Sequence, residues 1–139
     1  MPAPAVRWLP EGIGGPALED DPARFDWTDD GFRPATWANA VLYELHLGTF
    51  SPSGTAAAAI DHLDHLAELG VTHVEVMPLG TYGGRWGWGY DGVYWSAPHH
   101  TYGSPNDLRA FVDACHARGL GVIVDVVYNH LGPVGADDP

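Results

Sequence analysis

The chain has no lysine and only six arginines against 18 acidic residues, so its formal net charge is −12 over 139 residues. No basic stripe is present to meet phosphates or an anionic membrane, which argues against nucleic acid and lipid headgroups as partners and leaves neutral or cationic ligands. Cysteine is nearly absent as well. With Cys115 alone, no internal disulfide can form, and a reducing, cytoplasmic setting is expected. No apolar run approaches the roughly 20 residues of a membrane helix. The opening MPAPAVRWLPEGIGG has neither a basic start nor a continuous apolar core, so no secretory signal is expected there. What the chain does have is a globular composition, 45% hydrophobic with 18 glycines and 12 prolines. Its length suits one ordinary domain, or about half of a (β/α)8 barrel of roughly 250 residues.

Two regions differ in texture. Residues 1–40 hold seven of the acidic residues, and Pro2, Pro4, Pro10, Pro16, Pro22 and Pro34 interrupt any helix or central strand that might start there. Trp8, Phe25, Trp27, Phe32 and Trp37 are nevertheless too many aromatics for a free linker, so this segment is expected to pack onto something. From residue 41 the pattern is regular. VLYELHL (41–47) alternates as a strand, SPSGT turns, and a helix is predicted over 56–69 with Gly70 ending it. VTHVEVM (71–77) is a second strand, closed by Pro78. After a long loop over 79–102, Ser104-Pro105-Asn106-Asp107 supplies an N-cap, a first-position proline and an acid in the first turn of a second helix, which ends at Arg118-Gly119. GVIVDVVYNH (121–130) is the third strand and its exit.

β-α-β-α-β with short right-handed crossovers makes the three strands parallel neighbours. Both a doubly wound sheet and the first three units of a barrel have this order. The first turn, LGTFSPSGT, lacks the GxGxxG spacing of a dinucleotide-binding sheet. Alternation along the strands puts Asp125, Glu44, His46, His73 and Glu75 on one face, which suits the polar mouth of a barrel. The expected class is therefore α/β, a partial (β/α)8 barrel of three βα units.

The chemistry gathers at the carboxyl ends of these strands, where parallel α/β folds build their sites. Asp125 lies in an apolar run and needs a partner. The loop GTYGGRWGWGYDGVYW carries Tyr82, Trp86, Trp88, Tyr90, Tyr94 and Trp95 among glycines. Flat rings beside carboxylates and histidines suit sugar, whose C–H face stacks while its hydroxyls take hydrogen bonds. His46, at the end of the first strand, is a further pocket candidate. Glu44 and Glu75 could serve as an acid/base pair or, more ordinarily, in structural pairing. His99 and His100 could touch substrate or simply be exposed. His62 and His65 have near metal-ligand spacing but no third ligand, so no metal site is expected.

DVVYNH (125–130) resembles the first conserved region of the α-amylase family of glycoside hydrolases, and WGYDGV (88–93) with Tyr102-Gly103 resembles that family's loop after the second strand. More narrowly, YELHLGTFSPSGT (43–55), VEVMPLGTYGGRWGWGYDGV (74–93), VDACHARGLGVIVDVVYNHLGP (112–133) and RWLPEGIGGP (7–16) are similar to the maltooligosyltrehalose trehalohydrolase branch of the family. The resemblance implies that 41–139 is the amino-terminal part of a (β/α)8 catalytic domain. It implies that 1–40 is a linker or remnant of a preceding β-sandwich domain. Tyr90 would stack on the sugar in the cleavage subsite, His130 would bind its hydroxyls, and Asp125 would hold an arginine of the fourth strand. Asn129 would support the following loop and Asp91 would steady the aromatic one. No cofactor or metal is implied.

The implied substrate is an α-1,4-glucan or maltooligosyltrehalose, cleaved with retention by two carboxyl groups about 5–5.5 Å apart. Those two groups would lie beyond Pro139, so this chain by itself is expected to be inactive. A glycogen branching or debranching enzyme of the same family, or a non-catalytic carbohydrate-binding module, is the alternative.

Overall fold

The computed structural model describes residues 5–129. After an irregular segment up to residue 41, the chain runs through β1 (Leu42–Leu45), a one-turn helix α1 (Leu47–Phe50), α2 (Ala56–Ala59), α3 (Leu63–Glu68), β2 (His73–Val76), β3 (Gly80–Thr81), β4 (Tyr94–Pro98), α4 (Pro105–His116) and β5 (Gly121–Val124). β1, β2 and β5 form one parallel sheet with β2 in the centre, and β3 pairs antiparallel with β4 beside it.

Register decides which side chains share a face. Tyr43, Val74 and Val122 lie side by side, as do Glu44, Glu75 and Ile123 one residue later. Val74 and Val76 are buried against Leu63, Leu66, Phe111 and Cys115 of the helices, with Leu45 and Leu120 in the same cluster. Glu44 and Glu75 therefore point to the opposite face, as alternation predicts. Asp125 continues the parity of Ile123, and its N–H is tied to the Val76 carbonyl at 2.9 Å.

Several boundaries differ from the sequence expectation. The helix predicted over 56–69 is in two α pieces joined by a 3₁₀ turn (Ile60–His62), because the backbone tightens at His62, where ψ is −4°. β1 stops at Leu45, and His46 begins the one-turn helix α1 instead of ending the strand. The loop 79–102 contains the β3/β4 pair and a further 3₁₀ turn (His100–Tyr102). The pairing is fixed by the buried Thr81, whose hydroxyl donates to the Ala97 carbonyl at 2.9 Å. The second helix follows the prediction: Ser104 and Asp107 form a reciprocal capping box with Pro105 in the first turn. Cys115 lies in the core, where burial pushes its thiol up to about 12, so it is an inert apolar side chain.

The proline-rich segment is packed, as its aromatics foretold. Val6 and Leu9 are buried with Tyr94 and Ala97 of β4. Arg109 of α4 makes a two-pronged pair with Asp20 at 2.8 and 2.5 Å, and the two side chains are only 14% and 12% exposed. The Thr28 N–H and hydroxyl both donate to Asp113, at 2.8 and 2.7 Å. Asp29 meets His116 at 2.6 Å, while Phe32 stacks on the same imidazole at 3.9 Å. Residues 20–32 are thus a strap along α4.

The strap is expected to be acid-labile. Arg109 holds the Asp20 carboxyl below its ordinary 3.8, and the Thr28 bonds do the same for Asp113. Near pH 4 both groups bind fewer protons folded than unfolded. Their contribution to stability is complete above about pH 4 and is lost as pH falls through the depressed values. Asp20→Asn should flatten that acid limb of a urea-midpoint profile between pH 5 and 2; a profile of unchanged slope would contradict the assignment.

Candidate functional site

The open face above β1, β2 and β5 carries the site. Gly89 lies in the left-handed region (φ +88°), and a Cβ there would sit 1.9 Å from the Pro78 carbonyl oxygen, so only glycine lets the aromatic loop press against the end of β2. The next residue, Tyr90, is 40% exposed, and a small cleft beside Gly89 is lined by Trp95 and Asp125. Burial, followed by the nearby negative charges of Asp125, Glu44 and Glu75, raises the pKa of the Tyr90 phenol. It is therefore a hydrogen-bond donor at neutral pH. Among the described residues Asp125, Glu44 and Glu75 form no ion pair, and the ion pairs of Arg24, Arg109 and Arg118 lie elsewhere.

Asp125 lies close enough to Tyr90 for its charge to raise the phenol's pKa. Asn129 is exposed in the turn that follows 125–127, and Asp91 is exposed beside Tyr90. His130 lies outside the described residues. Trp95 and Tyr128 meet edge to face at 5.4 Å, a pairing that sequence reasoning missed; their pairing across a loop left no periodic signal.

Two histidines are tied into the fold. At His46, Nδ1 faces the Thr49 hydroxyl at 3.2 Å, and Nε2 lies 3.0 Å from both the Gly87 carbonyl and the Tyr102 hydroxyl. His99 is not exposed. It is fully buried, stacked on Tyr82 at 3.9 Å, and bonded through Nε2 to the Gly84 carbonyl at 3.0 Å. Its burial depresses the pKa, so the neutral ring is the folded form. Below the ordinary 6.5 the unfolded chain binds a proton that the folded chain refuses, so stability falls as pH drops from about 6.5. His99→Gln is expected to lose the part of the pH 7.5 to 5.5 decline in urea midpoint that the wild type shows; equal declines would contradict it.

Among the described residues no three His, Cys, Asp or Glu side chains come together as metal ligands, and no helix is long and apolar enough to cross a membrane. An open sheet end with a tyrosine, three carboxylates and exposed indoles can bind a polyhydroxylated ring by stacking and hydrogen bonding.

Comparison with known proteins decides the family. The model of the alpha amylase catalytic domain matches residues 22–136. The chain belongs to the alpha-amylase family. Its α/β fold agrees: a crystal structure of a putative alpha amylase from Salmonella typhimurium superposes with a TM-score of 0.92 at 51% identity, covering 95% of this chain and 23% of that one. Among alpha-amylase family relatives, the malto-oligosyltrehalose trehalohydrolase of Arthrobacter ramosus is 56% identical over 126 residues, 91% of this chain and 22% of that protein. The one from Deinococcus radiodurans is 52% identical over 134 residues, 96% of this chain and 22% of its own length. The chain thus spans about a fifth of the length of these relatives.

Proposed function

We propose that this chain is the amino-terminal part of the catalytic barrel of a cytoplasmic, retaining α-glucan hydrolase that releases trehalose from maltooligosyltrehalose. Residues 41–139 would supply the first three βα units, and 1–40 the linker from a preceding β-sandwich domain. The observation that carries this is Asp125 at the carboxyl end of a parallel sheet with Glu44 and Glu75 on the same face, all three close enough to the Tyr90 phenol for their charges to raise its pKa. The trehalohydrolase names of the relatives at 56% and 52% identity support the substrate.

In this role Tyr90 stacks on the sugar at the point of cleavage, and Asp125 with His130 orients groups around it. Asp125 takes an arginine from the next strand as its partner, which answers its need for a cation. Asn129 and Asp91 support the two rim loops, and His46 acts on the sugar only through the loop it holds. The nucleophile and the general acid come from later strands, so substrate binding and chemistry belong to the assembled barrel.

The test is to express the complete protein and, separately, residues 1–139, and to assay trehalose release from maltooligosyltrehalose. Release by the first and none by the second is expected. Transfer of glucan branches without trehalose release would overturn the substrate assignment, and turnover by the short chain would overturn the division of labour.

A further inference from the structure

His46 and His99 arise from different elements, yet both aim Nε2 at the backbone of the same loop. At His99 the assignment of protons is settled by geometry. Nδ1 accepts the Thr101 N–H at 3.3 Å, so the hydrogen sits on Nε2, which donates to the Gly84 carbonyl at 3.0 Å. At His46 the Gly87 carbonyl, 3.0 Å from Nε2, can only accept, so Nε2 again carries the hydrogen and Nδ1 is left to accept from the Thr49 hydroxyl.

Two tyrosines complete the arrangement. Tyr102 places its hydroxyl 3.0 Å from His46 Nε2 and 3.3 Å from the Tyr82 hydroxyl, and Tyr82 donates to the Gly87 carbonyl at 3.4 Å. Gly87 itself lies on the Tyr82 ring, where a Cβ would stand 2.8 Å from a ring carbon. The loop is therefore held at Gly84, at Gly87 and, through the contact with Pro78, at Gly89. The residue after the last anchor is Tyr90.

We propose that His46 and His99 are positioning residues that clamp this loop and thereby set where the Tyr90 ring meets the substrate. Its consequence for turnover rests on the glucan site proposed above; the clamp itself does not. Neither histidine needs to touch sugar. Their role is to remove the freedom that Tyr90 would otherwise lose on binding, since a ring misplaced by about 1 Å can cost on the order of 100-fold in rate.

Two readouts separate the clamp from the glucan reading. In the complete protein, His46→Ala is expected to lower kcat about 100-fold with a smaller change in KM. His46→Gln, whose amide N–H can reach the same carbonyl, is expected to recover most of that loss. Independently of activity, Arg85 lies between the two anchored carbonyls and the 1–139 sequence has no lysine, so tryptic cleavage after Arg85 reports on the loop. His46→Ala and His99→Ala are each expected to accelerate that cut at least tenfold, with cleavage after Arg118 unchanged.

An unchanged Arg85 rate in folded His46→Ala overturns the clamp. Faster cleavage with wild-type kcat overturns its part in positioning. If the wild-type protein cleaves no glucan at all, the glucan reading falls while the Arg85 rates still decide the clamp.

Discussion

Replacing Gly89 with valine is expected to displace the aromatic loop and to destabilise the chain by several kcal/mol. The left-handed backbone at this position costs a β-carbon about 1–2 kcal/mol. The collision with the Pro78 carbonyl adds an overpacking cost of ~1–3 kcal/mol, because the nearest atom belongs to the backbone and cannot swing aside. Urea denaturation of Gly89→Val against wild type measures the loss. Gly84→Ala is the control: its φ is also positive, at +84°, but nothing lies within 4 Å of the added carbon, so only the smaller conformational cost applies. Equal losses at the two positions would show that Pro78 does not restrain the loop.

The second large effect is expected at Asp125. It lies on the face that Glu44 and Glu75 share, where among the described residues no cation pairs with it. In the proposed enzyme its charge holds an arginine that orients the nucleophile. Asp125→Asn preserves shape and removes that charge, so the arginine is left unpaired in a closed barrel. A loss of roughly 100-fold or more in kcat is expected for trehalose release, with a modest change in KM, because what is disturbed is alignment of the reacting groups and not the contact with substrate. A change confined to KM would make Asp125 a sugar contact instead.

Much of this was legible in the amino-acid order. The capping box at Ser104 and Asp107 is a local signal, and the structure has it as written. The face shared by Glu44, Glu75 and Asp125 followed from strand alternation once the crossovers were taken as parallel.

The histidines were not legible for a physical reason. Whether an imidazole is a pocket donor or a structural clamp depends on which backbone carbonyls reach its nitrogens, and Gly84 and Gly87 come to His99 and His46 only through tertiary folding of a glycine-rich loop. The β3/β4 pair escaped for a similar reason: Thr81 and Tyr94 pair across 12 residues of irregular chain, with a register shift that breaks alternation. The strap was foreseen as packed, but its attachment to α4 depends on single polar contacts such as Thr28 to Asp113, which have no sequence period.

The most direct test of the central claim is a crystal structure of the complete protein with a maltooligosaccharide bound. A glucose ring stacked face-on against Tyr90, with Asp125 paired to a cation at the rim of the same pocket, is the predicted result. A sugar seated elsewhere, with the Tyr90 ring covered by other barrel side chains, would contradict it.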